Sequence, residues 1–224
     1  GCGRMNRAIY NIMEGFARLV LKAPKITGAQ NVVNDVPAVF VANHAGVYGP
    51  VIIKLFFPFK ALPWVIHNIT DPRLCADYLK RNFFEQKLGW HHLISKPVAY
   101  IVGQICVPII RHIGSIPVYR MDRRIRHTIK LSVEALGENN NLVIFIDDDL
   151  IEANSLRKGF INIARAYYNR HKKPLTFYPV RICPQRREII IEKGIQFDPN
   201  RQYRYERQRI KDYLNNHMKC HAYH

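Results

Sequence analysis

The sequence predicts an α/β fold in which a largely parallel central sheet is flanked by helices, with an N-terminal amphipathic helix in front. Two continuous apolar segments, Ala38–Ala42 and Leu142–Ile146, predict strands that are buried on both faces. Segments with helical spacing alternate with the strands, a pattern typical of parallel sheets covered by helices. At 224 residues and 48% hydrophobic content, the chain is long enough for one domain with a sizeable core.

The first predicted element is a basic amphipathic helix over residues 5–22. Its apolar residues recur at helical spacing: Ile9, Ile12, Met13, Phe16, Leu19 and Val20. Two interpretations stay open: the helix packs on the core, or it lies in a membrane interface. We therefore divide the chain into this helix, residues 1–24, and an α/β domain, residues 25–224.

The later elements are predicted from the same periodicities. They are a helix that opens near Pro50, a strand at Ser115–Tyr119, a helix at Arg124–Leu136, a helix at about 156–168, strands at Leu175–Val180 and Glu188–Glu192, and a helix from about Asn200. In such folds, functional residues gather at the carboxyl ends of the strands. His44 lies just beyond one such end.

The net charge limits which binding partners the sequence predicts, and the cysteine content limits which disulfide and metal sites it predicts. The formal net charge of +17 predicts a polyanionic partner, namely nucleic acid, an anionic membrane or a phosphorylated substrate. Basic stretches at 170–173, 181–187 and 201–209 fit either nucleic acid or a solvated face, but no nucleic-acid motif accompanies them, so we expect no nucleic acid. The five cysteines have no CxxC spacing, which argues against a disulfide framework or a zinc site and favours a reducing compartment. We expect no metal.

The sequence also predicts that the chain neither carries a signal peptide nor spans a membrane. The first residues lack an apolar signal core. The most apolar stretch, about 97–113, is interrupted by Gln104, Pro108 and Arg111 and is shorter than the roughly 20 residues that a spanning helix needs.

Four segments, taken in order, resemble the four sequence blocks of the glycerolipid acyltransferases, the family of lysophosphatidate and glycerol-3-phosphate acyltransferases. They are VANHAGVYGP at 41–50, GSIPVYR at 114–120, LVIFIDDDL at 142–150 with LRKGF at 156–160, and FYPVRI at 177–182. The resemblance covers roughly residues 25–182. Residues 60–100 lengthen the gap between the first two blocks, as an insertion would.

The resemblance implies specific roles. His44, with Asn43 beside it, corresponds to the catalytic pair of the first block. Arg120 and Lys158 correspond to residues that hold the phosphate of the acceptor, a task for which both cations are suited. Without the resemblance, both would be interpreted as surface residues.

Small and aromatic residues of the first two blocks are further candidates for the substrate loops. They are Gly46, Tyr48, Gly49, Gly114 and Pro117. Gly46 and Gly49 either let the backbone approach a ligand or relieve a tight turn. Tyr48 either contacts His44 or packs in the core.

The chain departs from the family pattern at the acid that supports the histidine. The family has Asp four spacers beyond the His, where this chain has Gly49, and the third block reads Phe-Ile-Asp-Asp instead of Phe-Pro-Glu-Gly. Asp147, Asp148, Asp149 or Glu152 would follow a parallel strand to the same edge, so one of them either replaces the acid or is a solvated loop residue. Restoring the acid by Gly49→Asp is expected to accelerate a weak but intact enzyme.

These observations predict a peripheral protein on the cytoplasmic, inner face of an anionic membrane. It would transfer a fatty acyl group from acyl-CoA or acyl carrier protein to a lysophospholipid or glycerol phosphate, with His44 as general base and no cofactor beyond the acyl donor. The alternative is a catalytically impaired relative that binds membrane or lipid.

Overall fold

A computed structural model describes residues 7–46, 48–85, 89, 91–119, 124–146 and 160–218. Eight strands in this part of the chain form one mixed, mostly parallel sheet. They are β1 (Lys25–Thr27), β2 (Ala38–Asn43), β3 (Ala61–Ile66), β4 (Ile116–Val118), β5 (Asn141–Ile146), β6 (Thr176–Cys183), β7 (Glu188–Ile191) and β8 (Ile195–Gln196). The strand order is β1-β7-β6-β2-β5-β3-β4, and β8 pairs with β6.

Strand β2 is parallel to both of its neighbours, β5 and β6. The register pairs Asn43 of β2 with Ile146 of β5, so these two strands end at the same edge of the sheet. Strand β6 pairs antiparallel with β7 and β8. The carboxyl edge predicted for His44 is therefore formed by the central strands.

Helices cover both faces of the sheet. They are α1 (Arg7–Val20), α2 (Tyr48–Phe56), α3 (Pro72–Leu79), α4 (His92–Ile113), α5 (Ile125–Gly137), α6 (Ile161–His171) and α7 (Tyr203–Met218). The predicted α/β class is confirmed. Of the helix predicted at about 156–168, the described part is α6, and residues 147–159 lie outside the described ranges.

Strand β2 explains why the core forms on both sides of the sheet. Val39 and Val41 point into a cluster with α5, α6 and α7, whereas Phe40 and Ala42 point into a second cluster with α2. All residues of β2 are buried. A strand without a polar face fits only a sheet that is covered on both sides.

The region between α2 and β4 differs most from the sequence prediction. Strand β3 was not predicted, and neither was the pairing of β3 with β4 and β5. The prediction of an interrupted, short apolar stretch is wrong, because α4 is continuous for 22 residues and contains both Pro97 and Pro108. Within the described residues, α4 is one helix that is long and apolar enough to cross a membrane by length and composition.

Helix α1 does not bury its apolar side in the core. Its inward side consists of Tyr10, Glu14 and Ala17. Phe16 and Leu19 on the other side are 68% and 85% exposed. Helix α1 therefore packs on the chain through Tyr10 and leaves its large apolar side chains exposed, and the interfacial interpretation stays a prediction.

Candidate functional site

The end of β2 is fixed to both neighbouring strands, and this holds His44 in place. The backbone N–H of His44 donates to the carbonyl oxygen of Ile146 at the end of β5, at 3.0 Å. On the other side, the Asn43 side chain donates to the carbonyl of Ile182 at 2.9 Å and accepts from its N–H at 2.7 Å. The amide of Asn43 thus extends the ladder between β2 and β6 beyond the strand's end.

These contacts give Asn43 a positioning role. Its side chain is buried, and both of its polar atoms bond to one backbone residue of β6. An amide satisfies the N–H and the C=O of Ile182 at once, because it carries a donor and an acceptor on one planar group. The catalytic role predicted for Asn43 stays a prediction. The two hydrogen bonds of its side chain support the backbone that carries His44.

A tight turn follows His44 and directs a carbonyl group onto its ring. Ala45 and Gly46 both have positive φ, 45° and 63°. The turn places the carbonyl oxygen of Gly46 at 2.6 Å from Nδ1 of His44. Because a carbonyl oxygen only accepts, Nδ1 carries the proton in this bond. In a neutral imidazole, Nε2 is then the basic nitrogen.

This bond fixes the tautomer of the His44 ring. In enzymes that use a histidine as a base, a carboxylate behind the ring fixes the tautomer and also stabilises the imidazolium. The Gly46 carbonyl performs the first of these tasks and carries no full negative charge for the second. Of the two interpretations of Gly46, the tight turn is the one that the structure contains.

Gly49 is required by the packing of α2 against the end of β2. A methyl group placed on Gly49 would lie 2.2 Å from the carbonyl oxygen of His44 and 3.3 Å from Cδ1 of Ile182. The close approach is thus between two backbone segments of the chain. An aspartate at this position would collide with the peptide that positions His44. The expectation that Gly49→Asp accelerates a weak enzyme presumed an intact backbone at this position, and this collision argues against it.

The other predicted loop residues have structural contacts. Tyr48 is half-buried against the core cluster on the α2 face, as its packing interpretation predicts. Gly114 ends α4 in the left-handed conformation, with φ of 79°. Pro117 lies in the edge strand β4, and its carbonyl accepts from the Thr128 hydroxyl at 2.8 Å. An edge strand is where proline is tolerated.

Several predicted site residues lie outside the described residues. They are Arg120, Asp147, Asp148, Asp149, Glu152 and Lys158. Their predicted roles stay predictions. The described chain reaches Ile146, whose carbonyl bonds to His44, and Asp147 is the next residue in the sequence.

Sequence reasoning missed a cluster of rings at the same edge of the sheet. The ring of Tyr119, just after β4, lies 4.5 Å from the ring of His67, just after β3. The ring of His127 lies 6.3 Å from Tyr119, and the guanidinium of Arg124 lies 4.8 Å from the centre of the Tyr119 ring. Because β3 was not predicted, nothing in the sequence placed His67 at this edge.

No metal-binding cluster is found in the part of the chain that the structure describes. Groups of three or more His, Cys, Asp or Glu side chains with suitable geometry are absent there. Of the described cysteines, Cys75 and Cys106 are free thiols. Burial raises the pKa of Cys75 to about 11, and Cys106 and Asp71 add to this shift.

Comparisons with known proteins give one similar fold. No protein-family model and no curated protein matches the chain. The fold is similar to the crystal structure of the 1-acyl-sn-glycerophosphate (LPA) acyltransferase PlsC from Thermotoga maritima, with a TM-score of 0.49 and 12% identity over 94% of this chain and 80% of that chain. A similarity at this level does not identify an activity.

Proposed function

We propose that the protein is an acyltransferase that moves a fatty acyl group from acyl-CoA or acyl carrier protein to the hydroxyl of a lysophospholipid or glycerol phosphate. The observation that carries the proposal is the hydrogen bond from His44 Nδ1–H to the Gly46 carbonyl, at the carboxyl edge of the central strands. This bond makes Nε2 the basic nitrogen that general-base catalysis requires.

The proposed reaction begins with proton transfer to Nε2 of His44. The acceptor hydroxyl loses its proton as its oxygen attacks the thioester carbonyl, which forms a tetrahedral intermediate. The C–S bond then breaks, and the imidazolium returns the proton to the leaving thiolate. The acceptor becomes an ester and the donor becomes a free thiol, so no oxidant or reductant is needed.

The phosphate of the acceptor is proposed to bind Arg120, with Lys158 as a second cation. Arginine holds a phosphate through two parallel hydrogen bonds, and lysine adds a point charge. Arg120 directly follows Tyr119 in the sequence. Strand β4 ends just before Tyr119, at the same edge of the sheet as His44, because β2, β5, β3 and β4 are all parallel.

A carboxylate from the run that follows β5 is proposed to support the imidazolium. Asp147, Asp148, Asp149 and Glu152 are the candidates. Support for this proposal comes from the bond between His44 N–H and the Ile146 carbonyl, because that bond joins His44 to the residue that precedes the run. The Gly46 carbonyl and such a carboxylate would then share the task of the family's aspartate.

Membrane attachment through α1 completes the proposal. The apolar side of α1 faces outward, and the whole chain carries a net charge of +17. A basic helix with an outward apolar side is suited to lie in the headgroup region of an anionic membrane. We place the protein on the cytoplasmic face, where the acyl donors would be available.

The competing proposal is a catalytically impaired relative that binds lipid. It is favoured by the packing at Gly49, which excludes the family's acid from its usual position. An acyl-transfer assay with purified protein, acyl-CoA or acyl carrier protein, and a panel of lysophospholipids separates the two. Transfer to at least one acceptor supports the enzyme, and no transfer to any acceptor supports the impaired relative.

A further inference from the structure

The outward side of α4 carries large apolar side chains from Leu93 to Ile105. Leu93, Ile94, Tyr100, Ile101 and Ile105 are between 49% and 70% exposed. A contiguous patch of large apolar side chains on the surface of a protein marks an interaction site. This patch was not predicted and is separate from α1 in the sequence.

The opposite side of α4 packs on α3 through small side chains. Ser95, Ala99 and Gly103 are buried and follow one another at intervals of four residues. A methyl group placed on Gly103 would lie 3.2 Å from the carbonyl oxygen of Pro72 and 3.3 Å from the backbone nitrogen of Ala76. This close contact holds α4 against α3, so lipid cannot surround the helix.

The charges around α4 identify the class of partner. The helix contains Lys96 and Arg111 but no Asp or Glu in its 22 residues. Lys96 and Arg111 are both exposed. An apolar side with cations and no carboxylates is complementary to an anionic lipid surface, and less so to a second copy of this strongly basic chain.

Helix α4 lies next to α1 at one end. The ring of Tyr10 in α1 packs at a tilt against the ring of His112 near the end of α4, with centroids 4.2 Å apart. Two adjacent helices thus present apolar side chains outward. From these observations we propose that α4 is a second membrane-contact helix, which lies in the plane of the interface of an anionic bilayer and does not cross it.

In-plane binding follows from the contact with α3. A helix in the interface inserts its apolar side about 5–10 Å below the headgroups and keeps its other side in polar surroundings. Helix α3 carries exposed Arg73 and Asp77, which would have to enter the hydrocarbon if α4 spanned the bilayer. The inference does not depend on acyl transfer, because binding to vesicles is measured without a substrate.

The first test is vesicle flotation with the full chain. The variant Leu93→Gln/Ile101→Gln/Ile105→Gln removes apolar area without changing the charge, and glutamine keeps the helix propensity high. The matched control is Val33→Gln/Val36→Gln/Tyr205→Gln, which alters three exposed apolar residues outside α4. Partitioning onto vesicles of equal parts phosphatidylglycerol and phosphatidylcholine should weaken at least about tenfold for the α4 variant and little for the control.

The second test measures depth. Tryptophan is introduced singly at Leu93, Ile101 and Ile105, and its quenching by lipids brominated at shallow or deep acyl positions is compared with that of the unaltered chain. An in-plane helix predicts shallow quenching at all three positions. Deep quenching at Ile101 with shallow quenching at Leu93 would indicate a spanning helix and overturn the proposal.

Two further outcomes are decisive. If the triple α4 variant binds vesicles as tightly as the unaltered chain, α4 does not contact the membrane. If that variant converts a dimer to a monomer in analytical ultracentrifugation and leaves vesicle binding unchanged, the face contacts a second copy. Should the triple variant fail to fold by circular dichroism, Ile101→Gln alone gives the same comparison with a smaller expected loss of several-fold.

Discussion

Apolar residues are buried around the carboxyl end of β2 and exposed on the outer sides of α1 and α4. Around β2, every residue of the strand is buried, and His44 is held by hydrogen bonds to two neighbouring strands. On α1 and α4, large side chains such as Leu19 and Ile101 are 85% and 60% exposed. The first region fixes one imidazole in one orientation, and the second leaves apolar area available for a partner.

This difference separates two kinds of variant. Changes at the end of β2 should alter stability and the position of His44 together, because the same contacts support both. Changes on the outer sides of α1 and α4 should alter association with lipid and leave folding unchanged.

The largest effect is expected for Gly49→Ala and Gly49→Asp. Either side chain would meet the carbonyl oxygen of His44, so the backbone must shift. We expect a loss of at least about 3 kcal/mol in the free energy of unfolding, near the upper end for overpacked sites, and loss of acyl transfer. Denaturant unfolding and the transfer assay measure the two effects.

The control for Gly49 is Gly15→Ala in exposed α1. A methyl group on Gly15 meets nothing within 4 Å. Alanine there should stabilise the helix by about 0.5–1 kcal/mol. If Gly49→Ala were as well tolerated as Gly15→Ala, α2 would not pack as closely on the carbonyl oxygen of His44 as the structure shows.

The next effect concerns the Asn43 amide. Asn43→Ala removes the amide that bonds to the buried N–H and C=O of Ile182, which should cost about 1–3 kcal/mol in unfolding free energy and lower kcat/KM. Asn31→Ala removes a comparable bond, from Nδ2 to the Ile191 carbonyl at 2.8 Å, away from the end of β2. It should lower stability without lowering kcat/KM, and an equal fall in kcat/KM for both variants would refute the positioning role.

A smaller effect is expected on α1. Leu19→Gln should weaken binding to anionic vesicles several-fold, because it removes one exposed apolar side chain, and it should leave the melting temperature unchanged. Binding should also weaken as salt rises from about 0.1 M to about 1 M, since the screening length falls from about 10 Å to about 3 Å. Equal binding to anionic and neutral vesicles, unchanged between the two salt concentrations, would contradict the electrostatic part.

The smallest effect tests the packing of α3 on α4 through Cys75. Burial raises the pKa of this thiol from 9.0 to about 11, so the folded chain holds the proton more tightly than the unfolded chain. Stability from this group is complete below about pH 9 and falls as pH rises to about 11. Alkylation of Cys75 at pH 8 should therefore be much slower in the folded protein than in guanidinium chloride, and equal rates would show that α4 separates from α3.

The fold was predictable where burial leaves a clear pattern. Strands β2 and β5 are continuous apolar runs, and their predicted bounds differ from the structure by one residue each. Strand β3 was missed because it is only partly buried and its sequence, ALPWVI, contains a proline. Gln104, Pro108 and Arg111 suggested an interruption of the apolar stretch at about 97–113, but α4 continues through all three.

The position of His44 at a strand end was predictable from the sequence, but the hydrogen-bond partner of its ring was not. The Asn-His pair at a strand end identified His44, since that position follows from the apolar run alone. The partner of Nδ1 is a backbone carbonyl, and which carbonyl it is depends on the positive φ of Ala45 and Gly46. Alanine rarely adopts that conformation, so the sequence contains no signal for this turn.

Substitution of His44 tests the central claim most directly. His44→Ala and His44→Gln keep the backbone N–H that bonds to Ile146, so the fold should persist by circular dichroism and thermal melting. Loss of the general base should lower kcat/KM for acyl transfer to a lysophospholipid by about 10²–10⁴-fold. Folded variants that transfer acyl groups at the rate of the unaltered protein would contradict the assignment of His44 as the base.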